Sequence, residues 1–277
     1  MNVWIIGDLH QSVNSVENFY VNYLKGSAQE HEENWLICLG DFGGFHYFDM
    51  RDYIFKERMS KYPINFFVIR GNHEARAGDT AAYDNYIGWE EVDCFGGKCL
   101  REVSYPNIYY AEDKGGIYTI KDRKCLILPG AYSVDKWYRI SRGWPWFCDE
   151  QMTSFEMESL ANIARGQHFD FVLSHTCPKK FQPTDLFLDC IDQNSVDSRM
   201  EEWMDTLQEE ITYGVWCFGH YHQDRVEAPY VEMFYTEPET LESIENRWIK
   251  YDETGELSWW VPVSPSMRYA LGAKEEL

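Results

Sequence analysis

Five short motifs combine carboxylate, imidazole and amide side chains, which are groups that proteins use to hold divalent cations. In chain order they are Gly7-Asp8-Leu9-His10, Gly40-Asp41, Gly71-Asn72-His73-Glu74, Ser174-His175-Thr176 and Gly219-His220-Tyr221-His222. Each motif follows an apolar run that favours a strand, so a sheet could present all five along one edge. Together they predict a site for two metal ions roughly 3.5–4 Å apart.

Two ions at this distance need a shared carboxylate, and we expect Asp41 to bridge them. Asp8 and His10 lie two residues apart, so in an extended backbone they would point to the same side and hold one ion together. His220 and His222 have the same spacing and could bind one ion or be divided between the two. The predicted metal ligands are Asp8, His10, Asp41, Asn72, His175, His220 and His222.

The predicted ligands contain oxygen and imidazole donors and no cysteine. Such a mixture suits several divalent ions and does not choose sharply among them. We therefore expect two divalent metal ions as cofactors, manganese first, with iron, zinc, nickel or magnesium as alternatives.

The motifs, in this order, resemble those of the calcineurin-like metallophosphoesterases, and the match spans residues 7 to 222. The resemblance implies an α/β fold with two facing mixed β-sheets flanked by helices, a four-layer αββα sandwich. It implies a metal-bound water or hydroxide as nucleophile and His73 as the group that assists the leaving group or orients the phosphate. The implied ligands are Asp8, His10, Asp41 and His222 for one ion, and Asp41, Asn72, His175 and His220 for the other.

The third motif looks like that of one branch of the family, whereas the second motif departs from the family pattern. Arg70 and the motif after it look like the serine/threonine protein phosphatases, in which the arginine contacts phosphate. Gly44, however, stands where many relatives have an aspartate that orients the catalytic histidine. Glu74, Asp49 and Asp52 are candidates for that role, and the sequence does not rank them.

The predicted function is metal-dependent hydrolysis of small phosphodiesters or phosphomonoesters such as nucleotides, with Asp41 and His73 as catalytic residues. A serine/threonine-type protein phosphatase is the alternative. A non-catalytic scaffold of the same fold is a further alternative, which the presence of His73 and of every predicted ligand disfavours.

An insert in the middle of the chain, residues 130–147, supplies further candidates and is similar to uncharacterised bacterial and phage members of the family. An arginine can clamp a phosphate with two parallel hydrogen bonds. The insert is dense in aromatic residues, which could stack on a base or simply pack over the site; the second reading is slightly favoured. The predicted substrate-binding residues are Arg70, Arg76, Arg139 and His46.

The formal net charge is −21 over 277 residues, so the chain has little positive surface for long polyanions. This disfavours extended nonspecific nucleic-acid binding, but not small nucleotides or short ends. No apolar run approaches the roughly 20 residues of a membrane span, and the first motif begins at residue 7. We therefore expect a single cytoplasmic domain over residues 1–277, with residues 225–277 as a C-terminal cover.

Strands and helices alternate in the first third of the chain, which indicates parallel strands. The pattern predicts helices at 13–25, 49–60 and 152–165, and a capping box at Ser198 and Glu201 opening another. Short β-like pieces at 108–111, 117–120 and 125–128 are expected to begin the second sheet. A hairpin is expected at 248–261.

Overall fold

The computed structural model describes residues 1–78 and 88–257, and its strands form two facing sheets. The first sheet contains β1 (Asn2–Ile6), β2 (Asn34–Cys38), β3 (Asn65–Val68), β4 (Trp89–Cys94), β5 (Gly97–Glu102), β6 (Ile108–Ala111) and β13 (Glu239–Thr240). The second sheet contains β7 (Gly116–Ile120), β8 (Arg123–Leu128), β9 (His168–Ser174), β10 (Thr212–Phe218), β11 (Arg225–Ala228) and β12 (Val231–Met233).

Both sheets have a parallel centre and antiparallel edges. The first has the order β13-β1-β2-β3-β6-β5-β4, and β1, β2, β3 and β6 are parallel neighbours. The second has the order β11-β12-β10-β9-β8-β7, in which β12, β10, β9 and β8 are parallel. The carboxyl ends of parallel strands meet at one edge of a sheet, so the loops that follow these strands can converge.

The helices within the described residues cover the sheets or lie in their connections. They are α1 (Val13–Phe19), α2 (Met50–Met59), α3 (Lys136–Ser141), α4 (Ser154–Ala164), α5 (Arg199–Glu210) and α6 (Leu241–Thr254). A π-helical turn, Tyr20–Leu24, continues α1, and short 3-10 turns occupy Lys179–Phe181, Thr184–Leu186 and Gln193–Ser195. No described helix is both long and apolar enough to cross a bilayer.

Alternation along the strands produces the layers. On β1, Val3 and Ile5 point into the space between the sheets, whereas Trp4 and Ile6 pack on the outer face. The outer core of the first sheet includes side chains of α1 and α2, and that of the second sheet includes α4 and α5. Side chains of α6 join the core between the sheets, and the predicted αββα sandwich is confirmed.

Several local predictions are confirmed. The helix predicted at 49–60 is α2, and the one at 152–165 is α4, which opens with a capping box between Thr153 and Glu156. The helix predicted at 13–25 is present as α1 and the π-helical turn.

Other local predictions are wrong. The helix predicted after Ser198 is present as α5, but its capping box is absent: Ser198 makes no side-chain capping bond, and Glu201 accepts a hydrogen bond from Thr176 Oγ1 at 3.0 Å. The hairpin expected at 248–261 is helical up to Thr254, and its last residues, 258–261, lie outside the described part of the chain. The piece at 108–111 is β6, which belongs to the first sheet, and the β4–β5 hairpin was not predicted.

Candidate metal centre

The five motifs lie in the loops that follow five central strands. The loop after β1 carries Asp8 and His10, the loop after β2 carries Asp41, and the loop after β3 carries Asn72 and His73. The loop after β9 carries His175, and the loop after β10 carries His220 and His222. Three overlapping groups of side chains have potential ligand atoms within 4.8 Å of one another. These groups are Asp8, His10 and His222; His10, Asp41 and His73; and Asp8, Asp41 and His175.

Asp41 occupies the middle of this cluster. Its Oδ2 lies 3.7 Å from His10 Nε2 and 3.6 Å from His175 Nε2. On the His10 side, His222 Nε2 lies 2.8 Å from His10 Nε2. On the other side, Asn72 Oδ1 lies 2.8 Å from His175 Nε2. This placement suits the bridging role predicted for Asp41.

His220 is less directly engaged than the other predicted ligands. Its ring packs against that of His175, with 5.0 Å between centroids, and it belongs to none of the three groups. Its backbone N–H donates to Asp8 Oδ2 at 2.8 Å, which fixes one oxygen of that carboxylate. The role of His220 as a ligand stays a prediction.

The extended backbone predicted for Asp8-Leu9-His10 is wrong, although Asp8 and His10 do lie in one group of potential ligands. β1 ends at Ile6, and His10 has a φ of 44°, in the left-handed region. His220 and His222 are also left-handed, with φ of 72° and 54°. A left-handed turn therefore places His10 beside Asp8, and left-handed backbone positions His220 and His222 on the other loop, at a backbone strain of the kind that clusters at functional sites.

The motif glycines allow one loop to pass against a ligand from another. A Cβ on Gly40, which has a φ of 103°, would lie 1.9 Å from His175 Nδ1. A Cβ on Gly71 would lie 2.0 Å from Asp41 Oδ1. Any side chain at either position would push a predicted ligand out of the cluster.

Two of the predicted ligands face each other with lone pairs. His175 Nδ1 donates to the Leu39 carbonyl at 2.7 Å, and burial lowers the pKa of His175, so its ring is neutral and Nε2 carries no proton. Asn72 donates through Nδ2 to Ser133 Oγ at 2.8 Å, so its Oδ1 is an acceptor. Two acceptors 2.8 Å apart repel unless a cation lies between or beside them.

The carboxylates also fit a cation. Burial and the Asp41 charge raise the pKa of Asp8, and its buried Oδ1 has no hydrogen-bond partner. Burial opposes ionisation of Asp41, but the imidazoles of His175, His73 and His10 outweigh it and hold its pKa well below the usual range. Burial lowers the pKa of His222 to about 4, so this ring is also neutral at pH 7. The donor set therefore fits divalent metal ions.

The insert fixes the orientation of Asn72. Ser133 Oγ accepts from Asn72 and, at 3.3 Å, from Arg139 Nη1. The backbone N–H of Ser133 donates to Glu150 Oε1 at 3.0 Å. Such partners behind a ligand set its orientation and are worth about 10–100-fold in metal affinity.

We expect Ser133→Ala to weaken binding of one metal ion by about tenfold, because the Asn72 amide loses the partner that aims Oδ1 at the cluster. Competition of the manganese-loaded protein against a chelator measures this affinity. Ser141→Ala is the matched control, since the exposed Ser141 side chain donates its hydroxyl to the Tyr138 carbonyl within α3. Unchanged affinity in Ser133→Ala would show that Asn72 needs no such support.

His73 has a different carboxylate neighbour from those predicted. Asp135 Oδ1 lies 3.9 Å from His73 Nε2, which is ion-pair range and longer than a hydrogen bond. Burial lowers the pKa of His73 to about 3, so the ring is neutral at pH 7. His46 stacks on the His73 ring at 5.6 Å and donates from Nδ1 to the His73 carbonyl at 2.5 Å.

The three candidates for orienting His73 are engaged elsewhere. Glu74 accepts from the backbone N–H groups of Gly43 and Gly44, and burial raises its pKa to about 8. Asp52 accepts from Gln11 Nε2 at 2.6 Å and from backbone N–H groups of the loop that follows His46. Asp49 bonds to Arg51 next to it.

The predicted substrate residues divide into two pairs. His46 and Arg139 lie beside His73, and the charge of Arg139 contributes to lowering the pKa of His73. Arg70 instead donates from Nε to Asp113 at 2.8 Å and from Nη1 to the Glu150 carbonyl at 2.9 Å. Arg76 pairs with Asp149 at 2.9 Å and Glu156 at 2.6 Å. These ion pairs do not favour a phosphate-binding role for Arg70 or Arg76.

Ser133 and Asp135 were not predicted as site residues. They follow β8, and Leu128 at its end is in register with Ser174 at the end of β9, next to His175. The rule that placed the five motifs at strand ends, applied to this sixth strand, would have identified them. The sequence shows the strand and the polar residues after it, but it does not show that β8 pairs with β9.

The family model for calcineurin-like phosphoesterases matches residues 1–224. A search of curated proteins finds no match. Among solved structures, a protein of unknown function from Aquifex aeolicus is similar, with 13% identity over 88% of this chain and 98% of its own, and a TM-score of 0.37.

Proposed function

The chain belongs to the calcineurin-like phosphoesterase family, and we propose that it hydrolyses small phosphodiesters or phosphomonoesters, such as nucleotides, with divalent metal ions. The observation that carries this proposal is the pair of acceptors Asn72 Oδ1 and His175 Nε2, 2.8 Å apart. Asp41 Oδ2 is 3.6 Å from the same His175 nitrogen. Such a set of oxygen and imidazole acceptors supports the binding of a cation here.

Two bound divalent ions would supply Lewis acidity at the phosphoryl oxygens and lower the pKa of water to the neutral range. Asp8, His10, Asp41 and His222 would hold one ion, and Asp41, Asn72, His175 and His220 the other. Manganese is the first choice, with iron, zinc, nickel and magnesium as alternatives. Asp41 keeps its negative charge in this cluster and so can serve both ions.

His73 would orient the phosphate rather than protonate the leaving group. The pKa of about 3, caused by burial, leaves the ring neutral, and cations bound nearby would lower it further. A neutral imidazole still donates one N–H hydrogen bond. Asp135, 3.9 Å away, can favour the tautomer that carries this proton on Nε2.

The alternative of a serine/threonine-type protein phosphatase depended on Arg70. Its Nε and Nη1 donate to Asp113 and to the Glu150 carbonyl, and its Nη2 is buried, so the guanidinium is not exposed to a phosphorylated side chain. We therefore keep the small-substrate proposal. Loss of phosphopeptide hydrolysis in Arg70→Ala would restore the alternative.

Hydrolysis of a nitrophenyl phosphodiester and of the corresponding monoester, measured on protein whose metal content has been determined, tests the proposal. We expect turnover that requires added manganese, with the diester preferred. A preference for the monoester would redirect the search to nucleotidases. No turnover of either ester with both metals bound would favour a non-catalytic scaffold.

A further inference from the structure

The aromatic residues of the insert divide into packed and exposed ones. Trp146 donates from Nε1 to Glu150 Oε2 at 2.9 Å, and Phe147 is buried against Phe48, with 5.5 Å between ring centroids. Trp137, Tyr138 and Trp144 are instead 70%, 52% and 51% exposed. Packing of the insert over the site therefore explains only the first two.

Helix α3 turns one face toward the metal centre. Asp135, at its start, reaches to 3.9 Å from His73, and Arg139, one turn later, is 1% exposed. At about 100° per residue, Tyr138 lies about 60° from Asp135 around the helix axis, and Trp137 about 160°. Along the axis, the rise of about 1.5 Å per residue keeps Tyr138 within about 5 Å of Asp135. Tyr138 thus borders the face directed at the site, whereas Trp137 lies on the far side.

Trp144 and Arg142 complete a surface with Tyr138. The rings of Tyr138 and Trp144 meet edge to face, 5.7 Å apart at 89°. The guanidinium of Arg142 lies over the Tyr138 ring, 5.2 Å from its centroid. Two exposed rings and a cation therefore lie together on the insert, next to the helix face that carries Asp135 and Arg139.

The charge of this segment is opposite to that of the chain. Residues 136–148, which lie between Asp135 and Asp149, include Lys136, Arg139 and Arg142 and no carboxylate, although the whole chain has a net charge of −21. Within the described ranges, none of the three forms an ion pair. The segment is therefore suited to an anionic ligand, and the acidic remainder of the chain limits how far such a ligand can extend.

We propose that Tyr138, Trp144 and Arg142 bind the nucleoside next to the scissile phosphate, so that the substrate is a nucleotide phosphodiester with an unpaired base. This inference rests on the proposed function of the metal centre. The exposed rings supply faces for stacking, which tolerates any base, and Arg142 supplies a positive charge for a neighbouring phosphate. A base within a duplex has no free face, so single-stranded ends and free nucleotide esters are the substrates.

Two diesters with the same leaving group test the proposal: thymidine 5′-(4-nitrophenyl phosphate) and methyl 4-nitrophenyl phosphate. We expect the wild-type protein to prefer the thymidine ester in kcat/KM. The double variant Tyr138→Ala, Trp144→Ala should lose about tenfold or more of that preference, through KM, with the methyl ester unaffected. Tyr138→Phe, which keeps the ring, should retain the preference.

Trp137→Ala is the matched control, because it removes a still more exposed ring from the far side of the helix that carries Tyr138. Its preference for the thymidine ester should equal that of the wild type. If both esters are hydrolysed and the double variant keeps the wild-type preference, the nucleoside site is refuted while the proposed function stands. Equal losses of the thymidine preference in the double variant and in Trp137→Ala would also refute the nucleoside site.

If neither diester nor the nitrophenyl monoester is hydrolysed, the proposed function fails, and a binding measurement tests the nucleoside site separately. A phosphorothioate-linked thymidine dinucleotide resists hydrolysis, and its titration into the manganese-loaded protein can be followed by tryptophan fluorescence. Weaker binding in Tyr138→Ala than in Trp137→Ala supports the nucleoside site. Equal binding in the two variants overturns it.

Discussion

Asp41→Asn is expected to reduce metal-dependent hydrolysis by about 10³-fold or more, because bridging charge stabilisation is worth several kcal/mol and each tenfold in rate corresponds to about 1.4 kcal/mol. The substitution is nearly isosteric. The backbone N–H of His73 donates a hydrogen bond to Asp41 Oδ1 at 2.8 Å, and the amide oxygen of an asparagine can still accept it. The change therefore removes the charge between His10 and His175 while leaving the loop conformation in place.

Metal content gives a second readout of the same variant. Since Asp41 is the carboxylate between the two sides of the cluster, we expect the protein to retain less manganese after gel filtration than the wild type. Asp49→Asn is the control, because Asp49 is exposed and pairs with Arg51, two residues further along the chain. Activity that does not depend on Asp41 would refute the metal mechanism.

The placement of the motifs could be predicted because each depends on one local rule. Val3 to Ile6 is apolar throughout and ends at Gly7-Asp8, and the same transition from strand to polar loop precedes Asp41 and Asn72. Parallel strands bring such loops to one edge, so no knowledge of long-range pairing was needed beyond the parallel arrangement itself. The layers followed in the same way from the alternation on the strands.

What could not be predicted depended on contacts between distant segments. Glu201 has the spacing of a capping box with Ser198, but the buried Thr176 hydroxyl takes its carboxylate. Residues 248–254 contain aromatic residues that suit a strand, yet Trp248 is held on a helix by a bond from its Nε1 to Glu232 and by packing against Tyr230. In each case a partner far along the chain outweighs the local pattern.

The carboxylate near His73 could not be predicted for the same reason, because it comes from a distant segment of the chain. The resemblance predicts an aspartate where this chain has Gly44, and a Cβ at that position would lie 2.5 Å from Tyr110 Oη. A side chain at position 44 would therefore require Tyr110 to move. Asp135 arrives instead from the insert after β8, on the opposite sheet, and no spacing in the sequence links it to His73.

His73→Ala is expected to lower kcat by about 10²–10³-fold, the cost of removing one hydrogen-bond donor to a charged transition state. His73→Asn should recover part of this loss, because its amide N–H₂ can also donate to a phosphate oxygen. The loss in His73→Ala should be the same for nitrophenyl and alkyl leaving groups. These expectations follow from the neutral ring, whose pKa burial lowers to about 3.

The leaving group separates this role from general acid catalysis. A proton donor matters little for nitrophenolate, which leaves easily as an anion, and greatly for an alkoxide. If His73→Ala retains most of its activity on a nitrophenyl ester but loses it on an alkyl ester, and His73→Asn behaves likewise, His73 is the acid. Asp135→Asn tests the neighbour of His73 in the same way. We expect it to lower kcat less than His73→Ala does, and equally for both leaving groups, because Asp135 only favours the tautomer of His73 that donates from Nε2.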